Sequence, residues 1–191
     1  MLSEPLVVVA KLGQLFEDLK IPYIVGGSVA SSLYGIPRAT QDVDLVADIK
    51  RSHVAAITSA LADEFYVDAD MIRDAIQRRA SCNVVHLATM FKADIFILKG
   101  DAWSREEMRR GHTAEFDTPE GKVTIRFASA EDTLLHKLIW YKLGNEISDR
   151  QWGDILGVLR VQGARLDQAY LDHWAPLLDV SNLLLRAKQQ R

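Results

Sequence analysis

Residues 26–46 read GGSVASSLYGIPRATQDVDLV, a Gly-Gly-Ser turn followed, after thirteen intervening residues, by an Asp-Val-Asp triplet. The apolar run 23–25 precedes the turn and residues 28–33 have helical character, so the pattern predicts strand, turn and helix. A helix that begins at a glycine turn directs its free backbone N–H groups towards an anion. We therefore predict a phosphate-binding turn, to which Gly26, Gly27 and Ser28 contribute.

Two acids follow on a predicted strand. Residues 42–46 alternate polar and apolar side chains, which brings Asp42 and Asp44 to one face of the strand. Two carboxylates held this close repel each other unless a cation lies between them. Their oxygens suit Mg²⁺, which takes few protein ligands and completes its shell with water and phosphate oxygens. The pair therefore predicts a magnesium site.

A third acid lies on another predicted strand, within residues 92–98. Asp94 is the only acid between Asp74 and Asp101, and it alternates with apolar residues that form a buried face. Two metal ions that align a hydroxyl with a phosphorus need such an additional carboxylate. The alternative interpretation is an acid at a strand edge that faces solvent.

The remaining hydrophobic pattern predicts an α+β fold, with a small mixed central sheet and flanking helices followed by a C-terminal helical part. We expect an α/β domain over residues 1–128 and a helical region over residues 129–191 packed on it. Ser129 and Ser148 each have the spacing of a helix N-cap with its partner. Predicted strands cover residues 83–87 and 92–98, and a hairpin joins 114–116 to 123–125 through the turn Pro119-Glu120-Gly121; predicted helices cover residues 6–19, 52–65, 70–79, 167–178 and 181–188.

Composition excludes several classes of protein. The formal net charge of −3 and the pI near 5.9 argue against a general nucleic-acid binder with a basic surface. Cys82 is the only cysteine, so the chain has no intrachain disulfide. The apolar run 6–10 is too short for a signal-peptide core, and no stretch approaches the ~20 apolar residues of a membrane span. We predict a cytoplasmic protein without a membrane partner.

The quoted motifs resemble those of the DNA polymerase β-type nucleotidyltransferase superfamily: Gly27-Ser28, then Asp42-Val43-Asp44-Leu45 after the thirteen-residue interval, then Asp94 on a later strand. The run of residues 38–42 is similar to the small bacterial branch that includes abortive-infection type IV toxins. The resemblance is specific over residues 22–47 and weak beyond residue 98. It implies the nucleotidyltransferase fold and transfer of a nucleoside monophosphate from a triphosphate, with release of pyrophosphate.

The resemblance also implies roles for individual residues. Two Mg²⁺ ions would be bound by Asp42 and Asp44, and Asp94 would bind the catalytic ion and help to deprotonate the acceptor hydroxyl. Ser28 and the neighbouring backbone would hold the outer phosphates, and Arg38 would contact the substrate. Lys137 lies in the kind of helix where toxin-like relatives carry a functional lysine, which can neutralise a phosphate as a point charge.

Two of these residues can also be interpreted without a functional role, and one part of the sequence departs from the pattern of the family. Arg38 is open to being a solvated loop residue, and Lys137 to being a surface lysine with a buried stem. Relatives follow the lysine with a Lys-Asp pair and a further Asp, whereas this chain has DRQWGD at residues 149–154. The roles of Asp149 and Asp154 are therefore left open.

Three functions remain open from the sequence. The first is Mg²⁺-dependent transfer of a nucleotide to a hydroxyl of RNA (including a tRNA end), a protein or a small molecule, with a toxin–antitoxin role among the candidates. The second is a non-catalytic protein of this fold that binds a partner; the leucines 183–185 near the C-terminus offer a surface for a protein partner or a second copy. The third is a metal-dependent glycosyltransferase, which also uses Asp-x-Asp.

Overall fold

The strand predicted around the acid pair is the middle strand of a seven-stranded mixed sheet. The computed structural model describes residues 4–118 and 121–190. These residues form the seven strands and nine α-helices, which confirms the α+β class. Their contacts divide the chain into two compact units, the first containing residues up to Gly26 together with Thr40–Phe127, the second containing Gly27–Ala39 and the residues from Ala128 onward.

The first unit contains the whole sheet. The strand order is β3-β4-β5-β2-β1-β7-β6; β2 pairs with β5 in parallel and β1 with β7 in parallel, while the other neighbours are antiparallel. Its strands are β1 (Tyr23–Val25), β2 (Asp42–Ala47), β3 (Phe65–Tyr66), β4 (Ser81–His86), β5 (Phe91–Ile97), β6 (His112–Thr118) and β7 (Gly121–Phe127); its helices are α1 (Glu4–Asp18), α3 (Val54–Leu61), α4 (Ala69–Arg78) and α5 (Ala102–Arg110).

Helix α1 shows why these residues form this element. Val9, Leu12 and Phe16 recur at helical spacing and are fully buried, so they supply the core of the first unit. The helix ends where Lys20 adopts a left-handed conformation (φ 54°) and the N–H of Ile21 donates to the carbonyl of Phe16 at 2.8 Å. Pro22 follows, and no helix continues through it.

The structure differs from the sequence predictions at two helices of the first unit. The helix predicted over residues 52–65 is shorter: a 3₁₀ turn covers Arg51–His53, α3 ends at Leu61, and Phe65 belongs to β3. Helix α5 was not predicted, because its sequence is mostly polar and lacks an apolar stripe. The predicted hairpin is confirmed as the pair β6 and β7, although the turn residues Pro119 and Glu120 lie outside the described residues.

The second unit is helical and includes α2, which is remote in sequence from its neighbours. Tyr34 at the end of α2 donates from its hydroxyl to the carbonyl of Ala128 at 2.6 Å, and its own carbonyl accepts from the side chain of Gln162 at 2.7 Å. The division after residue 128 stays a prediction. The helices of this unit are α2 (Gly27–Tyr34), α6 (Ala130–Leu143), α7 (Asp149–Gln162), α8 (Gln168–Leu177) and α9 (Ser181–Gln190).

Helix ends in the second unit follow the predicted caps. The hydroxyl of Ser129 accepts from the N–H of Asp132 at 3.1 Å, and the hydroxyl of Ser148 accepts from the N–H of Gln151 at 3.3 Å. These bonds satisfy backbone donors that a helix start leaves without partners. Among the described residues, no helix is long and apolar enough to cross a membrane.

Gly35 directly follows α2 and lies close to the backbone of α7, and we expect it to tolerate no side chain. A Cβ there would lie 2.8 Å from the backbone nitrogen of Val158 and 2.9 Å from the carbonyl carbon of Gly157. Overpacking against backbone cannot be relieved by a rotamer change, so Gly35→Ala should lower the free energy of unfolding by about 1–3 kcal/mol. Urea denaturation followed by circular dichroism measures this change.

Gly153→Ala is the matched control. Gly153 lies inside α7 and a Cβ there would meet no atom within 4 Å. Alanine should therefore stabilise the helix by about 0.5–1 kcal/mol. Equal effects of the two substitutions would contradict the close approach of α2 and α7.

Candidate active site

The glycine turn joins β1 to α2. The N–H of Gly26 donates to the carbonyl of Asp44 at 2.9 Å, which ties the end of β1 to the middle strand. Gly27 is the first residue of α2 and has φ 57°, a left-handed conformation that favours glycine. Ser28 is the second residue of the helix. The predicted strand, turn and helix are thus present, while phosphate binding by these residues stays a prediction.

The three predicted acids lie on adjacent strands. In the parallel register of β2 and β5, Asp44 is directly opposite Asp94, and Asp42 is opposite Lys92. These four side chains are partly exposed, whereas the residues that alternate with them on both strands are buried. They therefore share the outward face of the two strands, which we call the acid face (Asp42, Asp44, Lys92 and Asp94).

Lys92 is a member of this face that the sequence analysis missed. Its Nζ lies 2.7 Å from Oδ2 of Asp94, and the two side chains are 41% and 21% exposed. The hydrogen bond to Asp94 raises the pKa of Lys92 above its ordinary value, burial opposes this rise, and the charges of Asp94, Asp42 and Asp44 add to it. The sequence did contain a signal for this placement: Lys92 lies two residues before Asp94 on a strand, and residues with that spacing share a face.

The acid face fits a magnesium ion in part. The carboxylates of Asp42 and Asp44 give the one or two protein ligands that Mg²⁺ takes in phosphate-binding sites. Thr40 donates from its hydroxyl to Oδ1 of Asp42 at 3.0 Å, which orients that carboxylate. Within the described residues, however, no group of three or more His, Cys, Asp or Glu side chains is arranged to hold a metal ion. Asp94 is instead engaged by Lys92.

The second unit brings together three further residues that the sequence singled out, Ser28, Arg38 and Lys137. All of them contact Asp154 or one another. The guanidinium of Arg38 binds the carboxylate of Asp154 through two hydrogen bonds, of 2.8 Å from Nε and 2.9 Å from Nη2. Lys137 donates from Nζ to the same carboxylate at 2.8 Å. We call these four residues the cationic cluster.

Ser28 completes the cationic cluster at the start of α2. Its hydroxyl oxygen accepts from Nη2 of Arg38 at 2.6 Å and lies 3.5 Å from Nζ of Lys137. Two cations and one carboxylate give the cluster a formal charge of +1. The arrangement can therefore hold an anion beside the helix N-terminus, where the backbone N–H groups and the helix dipole act in the same direction.

The burial of Arg38 and Lys137 argues against the alternative in which both are solvated surface residues. The side chain of Lys137 is 4% exposed, so it is not a surface lysine, and Arg38 is 24% exposed and paired rather than solvated. Burial raises the pKa of Asp154. The hydrogen bonds from Arg38 and Lys137, together with the charges of these two residues, lower it by more, so the pKa lies below its ordinary value. Asp149 is exposed at the start of α7 and takes no part in the described cluster.

The predicted partner surface at the C-terminus is small. Leu183 and Leu184 are buried within the second unit, at 6% and 4% exposure, and only Leu185 of the three leucines is exposed. Binding of a protein partner or a second copy through these helices stays a prediction.

We expect Asp154→Asn to destabilise the protein strongly, because it leaves buried Lys137 without its counter-ion. Removing one partner of a buried ion pair costs about 3–5 kcal/mol. A carboxyl with a lowered pKa stabilises the fold above its unfolded-state pKa, and this contribution is lost as the pH falls through the folded-state pKa. The stability of the wild type should thus decline more steeply below about pH 4 than that of the variant.

Urea denaturation at a series of pH values from neutral to acidic measures both effects. Asp149→Asn changes an exposed carboxylate on the same helix and should alter the free energy of unfolding by about 0.5 kcal/mol or less. A loss of stability in Asp154→Asn no larger than in this control would contradict the buried network.

Comparison with solved structures identifies the fold. An antigenic nucleotidyltransferase-like protein from Paracoccidioides brasiliensis aligns with a TM-score of 0.54 at 17% identity, over 96% of this chain and 91% of that one. The antibiotic-resistance factor ANT(2'')-Ia aligns with a TM-score of 0.52 at 15% identity, over 90% and 93%. No protein-family model matches the chain, nor does any curated protein sequence. At these identities the likeness shows that the chain has the fold of nucleotidyltransferase-like proteins.

Proposed function

We propose that this protein is a Mg²⁺-dependent nucleotidyltransferase, which moves a nucleoside monophosphate from a nucleoside triphosphate to a hydroxyl group and releases pyrophosphate. The observation that carries the proposal is the register of the sheet, in which Asp44 lies opposite Asp94 and two residues from Asp42. The nucleotidyltransferase-like fold and the Gly-Gly-Ser turn support the same activity. Fold alone does not assign a reaction, so the proposal depends on the site.

The residues of the site take distinct roles in this proposal. Asp42 and Asp44 would hold Mg²⁺, and Asp94 would be a ligand of the second, catalytic ion and would help to deprotonate the acceptor hydroxyl. Bound magnesium would offset the charge of the phosphates and of the departing pyrophosphate. The bond between the α-phosphorus and the oxygen that links it to the β-phosphate breaks as the bond to the acceptor oxygen forms, and pyrophosphate leaves.

The glycine turn and the cationic cluster bind the triphosphate in this proposal. The backbone N–H of Gly27 and the hydroxyl of Ser28 contact the outer phosphates. The N–H of Gly26 is bonded to the carbonyl of Asp44, so Gly26 contributes by shaping the turn. Arg38 and Lys137 offset the phosphate charge, and Asp154 keeps both cations in place through its hydrogen bonds. A charge-assisted contact of this kind is stronger than one between neutral groups.

For the acceptor we propose a hydroxyl of RNA, a protein or a small molecule. The neighbour ANT(2'')-Ia is an antibiotic-resistance factor, which supports a small molecule among these. The net charge of −3 makes a long nucleic acid less suitable, because phosphate contacts dominate that affinity, although a tRNA end remains compatible with a local contact. Membership of the abortive-infection branch and a toxin–antitoxin role are finer proposals, which rest on the motif of residues 38–42.

A thermal-shift titration tests the site. We expect Mg²⁺ with one of the four nucleoside triphosphates to raise the melting temperature of the wild type. A ligand at ~100 times its dissociation constant stabilises by about 2.7 kcal/mol, which corresponds to about 5–10 °C for a chain of this size. The shift should require Mg²⁺ and should be lost in the Asp42→Asn/Asp44→Asn variant.

Asp48→Asn is the matched control, since Asp48 directly follows β2 and pairs with Lys50 rather than with the acid face. It should keep the full shift. A nucleotide shift that survives in the double variant would contradict the metal site. The absence of any shift in a cooperatively melting wild type would favour a non-catalytic partner-binding protein.

A further inference from the structure

The acid face contains its own counter-ion. Lys92 extends from the same face of β5 as Asp94, contacts that carboxylate at 2.7 Å and lies opposite Asp42 in the register. The charges of all three acids act on its ammonium group. Asp94 is therefore occupied by an ammonium at the place where the proposed function requires it to reach a cation.

Charge balance limits what this face can bind. Three carboxylates and one ammonium leave a formal charge of −2, which a single divalent cation neutralises. A second divalent cation beside Lys92 would give a local excess of positive charge at short range, where electrostatic repulsion is strong. The face can accept the second ion when Lys92 leaves Asp94 or when phosphate groups add negative charge.

The pair between Lys92 and Asp94 can exchange. The side chain of Lys92 is 41% exposed, and ion pairs with this degree of exposure contribute little to stability. A lysine also has four rotatable bonds in its stem and can turn into solvent without disturbing the strand. The contact is thus strong enough to occupy the carboxylate and weak enough to be displaced.

We propose that Lys92 competes with the second divalent cation for Asp94, so that the nucleotide-free protein binds one divalent cation at Asp42 and Asp44. This inference rests on the proposed function and deepens it, because it makes the second cation conditional on displacement of Lys92. A triphosphate that brings negative charge and offers Lys92 another partner then favours a complete two-ion site.

Binding of Mn²⁺ without nucleotide tests the proposal. Electron paramagnetic resonance counts the free ion during a titration and gives stoichiometry and affinity without any activity measurement. We expect about one ion in the wild type and about two in Lys92→Gln, with the second ion bound about tenfold or more tightly than in the wild type. Lys92→Arg keeps the positive charge and should behave as the wild type.

Two further variants separate competition from a general charge effect. Lys122→Gln removes an exposed lysine on β7 of the same sheet, together with its ion pair to Glu115 on β6, so it should leave Mn²⁺ binding unchanged. The double variant Lys92→Gln/Asp94→Asn should lose the additional ion, because that ion requires the carboxylate of Asp94. Melting temperatures of all variants check that each is folded.

The outcomes distinguish this inference from the proposed function. If the wild type binds Mn²⁺, Asp42→Asn abolishes binding and Lys92→Gln changes neither stoichiometry nor affinity, the competition by Lys92 is overturned while the metal site stands. If Lys122→Gln has the same effect as Lys92→Gln, the effect is one of net charge and the inference is overturned as well. If no folded variant binds Mn²⁺, both the inference and the proposed magnesium site are wrong.

Discussion

The parallel pairing of β2 with β5 determines where charge accumulates in this protein. Because side chains alternate along a strand, aligning Asp44 with Asp94 also aligns Asp42 with Lys92 and brings all four to one face. A register shift of one residue in β2 would direct Asp42 and Asp44 into the core and Val43 outward, at a cost that the burial of the apolar residues forbids. The hydrophobic face therefore fixes the position of the polar one.

The same lysine–carboxylate chemistry serves opposite purposes in the two units. The contact of Lys92 with Asp94 is partly exposed and can be replaced by another ion, whereas Lys137 and Asp154 are 4% and 5% exposed. Buried ions that lose their partner are costly, so the second contact holds its geometry. One pair is suited to exchange and the other to keeping a charged group in a fixed place.

Much of the fold follows from local patterns in the sequence. The glycine turn, the alternating strands and the serine caps of α6 and α7 depend on near neighbours in the chain, and each was predicted. Helix α5 was missed because its sequence has no apolar stripe. The signal that marks its start is the cap by Asp101, whose carboxylate accepts from the N–H of Ser104 at 2.8 Å. The helix over residues 52–65 was predicted too long because the short strand β3 depends on pairing with β4.

In the candidate site, too, the features that depend on near neighbours were predictable and those that depend on distant parts of the chain were not. Alternation was sufficient to put Asp42, Asp44 and Asp94 on outward faces, but neither the strand order nor the register of β2 on β5 can be read from either strand alone. The contact of Asp154 with Lys137 joins two helices and with Arg38 joins residues 116 apart in the chain, which leaves no local signal. Lys92 was the exception, since its alternation with Asp94 was visible in the sequence.

Gly27–Ala39 belongs to the second unit although it precedes most of the first in the chain, and this order affects folding during synthesis on the ribosome. Translation delivers this segment long before α6 and α7, whose residues complete its surroundings. The nascent first unit can pair its strands as they emerge, but α2 has to wait until α6 and α7 have been synthesised. Its eight residues are too few to remain helical alone in water. Premature termination after Phe127 would therefore release a sheet attached to a segment that lacks the helices it packs against.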